Sequence, residues 1–191
     1  MVISVKWLGH ASFKIKGKNK TIYIDPYMGD YDEKADLILI THSHYDHCDP
    51  IKVKTTLKNE GLVIAPTDCN RKITGKIKSL SLGEQILIEK IEIKAVKAYN
   101  YKRFKVPGKP FHPKDLGVGY LIKLNGKIIY HAGDTDFIPE MKELKNIYLA
   151  LIPSGGTYTM DNVEAAEATL RINPKIVIPM HIWNEEGRIQ A

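Results

Sequence analysis

The sequence has few cysteines and no long apolar run. Cys48 and Cys69 are the only cysteines among 191 residues, too few for the disulfide framework of a small secreted domain, so we expect both to be free thiols. No segment approaches the roughly 18 consecutive apolar residues of a membrane-spanning helix. Residues 1–15 alternate apolar and polar types and do not form the apolar core of a secretory signal. These absences exclude a disulfide scaffold and a membrane span, and they predict a cytoplasmic location.

The charge balance is basic, but the cations are dispersed. Lysine and arginine total 28 against 22 aspartate and glutamate residues, a formal net charge of +6. No basic run is interleaved with aromatic residues, so we do not expect a nucleic-acid partner. The lysines either lie on solvated faces or contribute a positive field that attracts a small anionic substrate.

The order of the predicted elements favours one α/β domain that spans residues 1–191. Helices are predicted at 51–59 and at 161–172, where Asp161 and Glu164 are spaced as in a capping box. Because strands followed by a helix recur in each half, we expect a four-layer αββα sandwich with helices on both outer sheet faces. Short alternating or aliphatic segments predict strands at 2–8, 12–15, 21–24, 37–40, 62–65, 118–124, 127–130, 149–152 and 175–179, with a meander in 77–96.

Two connections have distinct sequence signals. Asn125-Gly126 predicts a two-residue hairpin turn, because both positions need positive φ. Residues 99–116 contain three prolines and few apolar anchors, so we expect a long loop without regular structure. Loops of that length in compact domains are usually functional.

The segment from His42 to His47 concentrates metal-binding side chains directly after a predicted buried strand. His42, His44, Asp46 and His47 lie within six residues. Imidazoles bind zinc and similar divalent ions, and a carboxylate beside them adds a hard oxygen ligand. The His-x-His alternation places two rings on one side of an extended segment, whereas the next two side chains lie beyond the bend and can face a second ion. The segment therefore predicts a metal site.

This His-x-His-x-Asp-His run resembles the signature of the metallo-β-lactamase superfamily. Other motifs along the chain are similar to motifs of that superfamily: Trp7-Leu8-Gly9-His10-Ala11-Ser12, Ile24-Asp25-Pro26, Ala132-Gly133-Asp134-Thr135 and Pro179-Met180-His181. In this order they are most similar to the branch that includes ascorbate-6-phosphate lactonase and N-acylphosphatidylethanolamine phospholipase D. The resemblance implies the metallo-β-lactamase fold over nearly the whole chain.

The resemblance also implies a centre with two divalent ions. We expect zinc, while manganese, nickel or iron suit the same donors. Asp25 would hydrogen-bond the histidine segment, or it is an ordinary turn aspartate. The implied ligands are His42 and His44 for the first ion, Asp46, His47 and His181 for the second, and Asp134 as a bridge between them.

One position departs from the superfamily pattern. Where a third histidine for the first ion is expected, the sequence has Ala98-Tyr99-Asn100, and an amide oxygen is a poorer zinc ligand than an imidazole. Either Asn100 serves in a weaker first site, or His112 folds back from the long loop to complete it. The remaining alternatives for His112 are a substrate contact and an exposed loop histidine.

Three further expectations concern the surroundings of the site. His10, at the break between the first two strands, is assigned a catalytic or substrate-contacting role beside Asp46. Cys48 is expected to be a small buried residue, and His131 a buried residue near the ligands. Ten residues follow His181, fewer than the resemblance implies, so part of the pocket wall is either missing or supplied by a second subunit of a homo-oligomer.

The implied chemistry is hydrolysis of a small-molecule ester, lactone or phosphodiester by a hydroxide that bridges two divalent ions. Asp46 would orient the hydroxide and is the candidate acceptor of its proton. One competing interpretation is a non-haem di-iron redox protein on the same fold. His44 argues against it, because glutamate is typical at that position in such proteins. The other is a binding domain in which the metals only stabilise the fold.

Overall fold

β-Strands dominate the secondary structure. The computed structural model describes residues 2–17 and 19–182. In chain order, the strands of these residues are β1 (Ser4–Gly9), β2 (Ser12–Gly17), β3 (Lys20–Ile24), β4 (Ala35–Leu39), β5 (Leu57–Ala65), β6 (Ile77–Ser79), β7 (Gln85–Ile88), β8 (Ile91–Ala98), β9 (Phe104–Val106), β10 (Lys109–Pro110), β11 (Gly117–Leu124), β12 (Lys127–His131), β13 (Ile147–Pro153) and β14 (Ile176–Met180).

The strands form two mixed six-stranded sheets and one small hairpin. The first sheet has the order β1-β2-β3-β4-β5-β6, and the second has the order β14-β13-β12-β11-β8-β7. In each sheet the hairpin-connected strands are antiparallel, and the strands from β3 to β6 and from β12 to β14 are parallel. The predicted turn between β11 and β12 is present, with φ of 50° at Asn125 and 75° at Gly126.

The two faces of the first sheet bury different side chains. Ile22 and Leu37 belong to the apolar core that both sheets share, whereas Tyr23 and Ile38 belong to a second apolar cluster on the other face. That cluster includes Val53 of helix α1 (Pro50–Thr56). The alternation of apolar residues along β3 and β4 thus places one layer of side chains between the sheets and another beneath α1.

Helix α2 (Asn162–Ile172) packs beside β13 and buries Ala168 and Ile172. Its first turn has the predicted capping box: Glu164 N donates to Asp161 Oδ1 at 2.9 Å, and Asp161 N donates to Glu164 Oε2 at 3.3 Å. One helix therefore accompanies each sheet, and the predicted four-layer sandwich is confirmed. Short 3₁₀ helices occur at Thr67–Cys69 and Pro139–Glu143.

The predicted helix at 51–59 is too long. Helix α1 ends at Thr56, and Leu57 is already extended, with φ −79° and ψ 140°. Leu57 pairs with Ala35 of β4, so the chain enters β5 without an intervening loop. Pairing with a buried parallel strand overrides the local helical preference of residues 57–59.

The predicted meander at 77–96 divides between the two sheets. Only β7 and β8 form an antiparallel hairpin there, whereas β6 pairs in parallel with β5 through Val63 and Ile77. Residues 99–116 also differ from the expected irregular loop, because β9 and β10 form a hairpin with Gly108 at φ 78°. Pro110 is tolerated because it ends a short edge strand.

Two further expectations concern membrane spans and the C-terminal residues. No helix within residues 2–17 and 19–182 is both long and apolar enough to cross a bilayer. Residues 183–191, on which the expectation of a pocket wall from a second subunit depended, lie outside the described residues.

Gly117, the first residue of β11, lets the second sheet approach the histidine segment closely. A Cβ atom at this position would lie 2.8 Å from His42 Cβ and 3.1 Å from Thr41 O. Val118 N donates to Thr41 O at 2.9 Å across the same contact. His42 can therefore occupy its position only because residue 117 has no side chain.

We predict that Gly117→Ala lowers the free energy of unfolding by about 1–3 kcal/mol, the usual range for overpacking a core. Gly17→Ala is the matched control, because its Cβ would meet the movable side chain of Leu124 at 2.7 Å instead of backbone atoms. We expect the control to lose less. Equal losses in urea denaturation of the two variants would contradict this account.

Candidate metal centre

The candidate ligands come from strand ends that meet at one edge of the sandwich. His42 to His47 follow β4, Asp134 follows β12, and His181 directly follows β14. The edge where parallel strands end at their carboxyl termini is a common place for ligands in α/β folds. The fold therefore brings together residues that are up to 139 positions apart in the sequence.

The ligand atoms form two groups with a third group between them. In each group all the ligand atoms lie within 4.8 Å of one another. In the first group, His44 Nδ1 lies 3.0 Å from His42 Nε2 and 3.1 Å from His112 Nε2. The groups are His42, His44 and His112; His10, Asp46, His47 and His181; and His42, His47 and Asp134.

Asp134 lies between the two outer groups. Its Oδ2 atom is 3.1 Å from His181 Nε2 and 3.3 Å from His112 Nε2, and its Oδ1 atom is 3.4 Å from His47 Nε2. Burial alone would raise the pKa of this carboxyl, but the neighbouring His181 and His47 hold it well below the ordinary value. Asp134 is therefore a buried anion shared by imidazoles from both groups.

The chemistry of these atoms fits divalent cations. Within the described residues, His47 Nε2 and Asp134 Oδ1 are buried and form no hydrogen bond, an unusual condition for polar atoms in a protein interior. Burial lowers the pKa of His42 well below the ordinary value and lowers that of His112 to about 4. Both rings are thus neutral at pH 7, and the neutral ring is the form that binds a metal.

Asp25 holds the segment from Thr41 to His47 by hydrogen bonds. Its Oδ1 atom accepts a hydrogen bond from Thr41 N at 2.7 Å, and its Oδ2 atom accepts from Thr41 Oγ1 at 2.6 Å and from His47 Nδ1 at 2.8 Å. A carboxylate that accepts from Nδ1 leaves Nε2 of the same ring directed at the other ligands. The structure thus favours the supporting role for Asp25 over that of an ordinary turn residue.

His47 differs from the other rings in its electrostatic surroundings. Burial would lower its pKa, but the carboxylates of Asp134 and Asp25 outweigh burial and raise the pKa well above the ordinary value. The two carboxylates thus favour a positive charge at the position of His47. A divalent cation would satisfy the same electrostatic preference.

Asn100 is not placed to be a ligand. Its Oδ1 atom accepts from His112 Nδ1 at 2.6 Å and from His112 N at 3.0 Å, and its Nδ2 atom donates to Asp136 Oδ1 at 2.9 Å. The amide therefore fixes the ring of His112, whose Nε2 faces His44 and Asp134. Of the two alternatives for the missing histidine, the structure favours the one in which His112 completes the first group.

Asp136 is a supporting residue that the sequence analysis missed. Besides the Asn100 amide, this fully buried carboxylate accepts from Tyr101 N at 2.8 Å, from Lys102 N at 2.7 Å and from Arg103 Nη1 at 2.7 Å. Because Asp136 accepts from Asn100 Nδ2, the amide oxygen of Asn100 must point at His112. The available signal was a second aspartate two positions after Asp134.

His10 contacts Asp46. Its Nε2 atom lies 3.1 Å from Asp46 Oδ2, and its ring is fully buried. Burial would raise the pKa of Asp46, but the hydrogen bond with His10 and the charge of His47 lower it to about 2. His10 thus holds an ionised carboxylate in place, and the structure gives it a contact with Asp46 behind the cavity wall.

Cys48, Cys69 and His131 have the expected environments. Both cysteines are buried free thiols. His131 is buried, and its Nε2 atom lies 3.0 Å from Ala11 O. Both cysteines belong to the apolar cluster that includes Val53 of α1.

The ligand groups open into a cavity of about 260 Å³. A larger cavity of about 500 Å³ lies between α2 and β14, but no histidine, carboxylate or cation among the described residues lines it. The smaller cavity is therefore the candidate active site. Its floor consists of His44, Asp46, His112, Asp134 and His181, and its rim consists of Tyr45, Lys105, Phe111 and Tyr158.

Comparisons with known proteins identify similar proteins in sequence and in fold. Residues 4–181 match the family described as the beta-lactamase superfamily domain. The chain is 36% identical over 198 aligned residues to the UPF0173 metal-dependent hydrolase of Pyrococcus furiosus, an alignment covering 94% of this chain and 84% of that protein. A crystal structure from Parabacteroides distasonis superposes with a TM-score of 0.87 at 37% identity, covering 94% of this chain and 82% of that one. Igni18, a metallo hydrolase of Ignicoccus hospitalis, superposes with a TM-score of 0.76 at 28% identity, covering 95% and 83%.

We predict that Asn100 acts on metal binding only through His112. Asn100→Ala should weaken zinc binding by about 10–100-fold, the usual loss for a group that orients a ligand. His112→Ala should weaken it more, and the double variant should match His112→Ala, because the amide then has no ring to orient. Chelator-competition titrations of the purified variants measure this, with exposed Asn59→Ala as a control. Additive losses in the double variant would show that Asn100 acts independently.

Proposed function

The chain belongs to the metallo-β-lactamase superfamily and, within it, to the UPF0173 family of metal-dependent hydrolases, and from that premise we propose that its centre holds two divalent ions. His42, His44 and His112 would hold the first ion. Asp46, His47 and His181 would hold the second, and Asp134 would bridge them.

The position of Asp134 carries this proposal. One of its oxygens lies 3.1 Å from His181 and 3.3 Å from His112, which belong to different ligand groups. A single buried carboxylate that serves both groups suits two adjacent cations better than two independent sites. With His112 counted, each ion would have three protein ligands of its own besides the shared aspartate. Water or substrate would then be a fifth ligand, a coordination number to which catalytic zinc sites can expand.

Two such ions, when bound, supply a hydroxide at neutral pH by lowering the pKa of water from 15.7 to about 7, and they polarise the scissile oxygen. The protein's own residues orient the reactants. Asp46 lies on the cavity floor, and its pKa of about 2 makes it a weak base. We therefore assign to Asp46 the orientation of the attacking group, with His10 holding the carboxylate, and not the final acceptance of a proton.

We propose a small-molecule ester, lactone or phosphodiester as the substrate and zinc as the metal. The cavity volume of about 260 Å³ is near the lower end for small-molecule sites. The motifs that resemble ascorbate-6-phosphate lactonase and N-acylphosphatidylethanolamine phospholipase D support the lactone and phosphodiester classes. Two buried free thiols suit a reducing compartment, so we place the protein in the cytoplasm.

We predict that Asp134→Ala removes both ions and abolishes turnover, because the bridging carboxylate serves both ligand groups. Asp30→Ala, at an exposed position, is the control and should keep its metal. Elemental analysis measures metal content, and a panel of esters, lactones and phosphodiesters measures turnover. Chelation should abolish the turnover, and added zinc should restore it. Two retained ions in Asp134→Ala, or full turnover after chelation, would contradict the proposal.

A further inference from the structure

The rim of the cavity carries one cation. Nine of the described residues line the cavity, and Lys105 is the only lysine or arginine among these nine. Its ammonium group forms no ion pair with a carboxylate of residues 2–17 and 19–182, whereas Lys102 and Arg103 on the same segment pair with Glu164. Lys105 therefore keeps an uncompensated positive charge at the cavity mouth.

This charge lies on the side of the first ligand group. Lys105 lines the same cavity as His44, His112 and Asp134. An anion bound to Lys105 would lie beside the reacting centre.

Aromatic side chains continue the same wall. The rings of Phe111 and Tyr158 meet edge to face, with centroids 4.8 Å apart and an interplanar angle of 90°. Lys105 Nζ lies 5.9 Å from the centroid of the Phe111 ring. Cation, phenyl ring and phenol ring therefore follow one another along one side of the cavity. Such a wall suits a ligand with a flat or apolar body and a charged end.

The hairpin that carries Lys105 is held at its base. Arg103 Nη1 donates to Asp136 Oδ1 at 2.7 Å, its Nη2 donates to Glu164 Oε2 at 2.5 Å, and its Nε donates to Gly156 O at 2.9 Å. Phe111 N closes the hairpin by donating to Arg103 O at 3.2 Å. Contacts of this kind fix the wall before a ligand arrives, which lowers the entropic cost of binding.

We propose that Lys105 is the specificity-determining residue for an anionic substrate: a small ester or lactone with a flat or apolar body and a carboxylate or phosphate group that Lys105 binds. The scissile bond would face the floor of the cavity, and the body would lie against Phe111 and Tyr158. This inference rests on the proposed function, because the floor supplies the reaction.

Matched esters test the proposal in zinc-loaded protein. The carboxylate 4-acetoxybenzoate and the neutral 4-acetoxybenzamide share one aromatic body and one scissile acetyl ester, and 4-acetoxyphenyl phosphate tests a phosphate in place of the carboxylate. We expect wild type to prefer the anionic esters. In Lys105→Gln the ratio of kcat/KM for anionic over neutral ester should fall about tenfold, as for the loss of a charged hydrogen-bond partner. Lys105→Arg should retain the preference.

Lys109→Gln is the matched control. Lys109 lies on the same hairpin and is exposed, but it does not line the cavity. Its removal changes the net charge by the same amount, so it should leave the ratio unchanged. An equal fall in both variants would assign the effect to the overall field of the protein and would overturn the role of Lys105.

Calorimetric binding of benzoate and benzamide separates this inference from the proposed function, because it needs no turnover. If wild type hydrolyses none of the esters but binds benzoate more tightly than benzamide, and Lys105→Gln loses this preference, the anion site stands and the proposed hydrolysis fails. If the esters are hydrolysed with the same ratio in wild type and Lys105→Gln, the hydrolysis stands and the anion site is overturned. Equal binding of benzoate and benzamide by wild type would also overturn it.

Discussion

The rest of this structure depends on the burial of one carboxylate among imidazole rings. Asp134 is 5% exposed and lies within 4.0 Å of ring nitrogens from four histidines. Removing such a charge from water is costly unless opposite charge and directed ligands compensate. The site therefore requires side chains from three strand ends of the sandwich and from the segment after the β9–β10 hairpin to meet at one place. Gly133, at φ 64° and with no room for a Cβ beside Val118 O, lets the chain turn into this position.

Behind the ligands, a layer of acidic and amide side chains holds the rings. Asp25 holds His47, Asn100 holds His112, and Asp136 holds Asn100 in turn. Asp25 accepts from His47 Nδ1 and Asn100 accepts from His112 Nδ1, so in the neutral form of each ring the Nε2 atom directed at the centre keeps its lone pair. Hydrogen bonds connect Arg103 to Asp136, Asp136 to Asn100 and Asn100 to His112 on the cavity floor. Orientation of the ligands thus depends on residues that never reach the cavity.

The sequence alone predicts those features that depend on neighbouring residues. The ligands from His42 to His47 are contiguous, the Asp161 and Glu164 cap lies within one turn, and the turn at Asn125 needs only two residues. The position of His112 depends on hydrogen bonds among three segments, so the sequence could only offer it as one of several alternatives. Asp136 went unnoticed for the same reason. The sequence also placed residues 77–79 in one antiparallel meander with β7 and β8, which was wrong, because alternation of apolar residues identifies a strand but not its neighbour.

Glu164 has two functions in different parts of the molecule. Its carboxylate caps the first turn of α2, and the same group binds Lys102 and Arg103 at the base of the hairpin beside the cavity. One carboxylate therefore connects the start of the helix to the base of the hairpin. Fraying of the helix start would also release the base of that hairpin, so a helix that contributes no side chain to the cavity lining helps to hold the cavity wall.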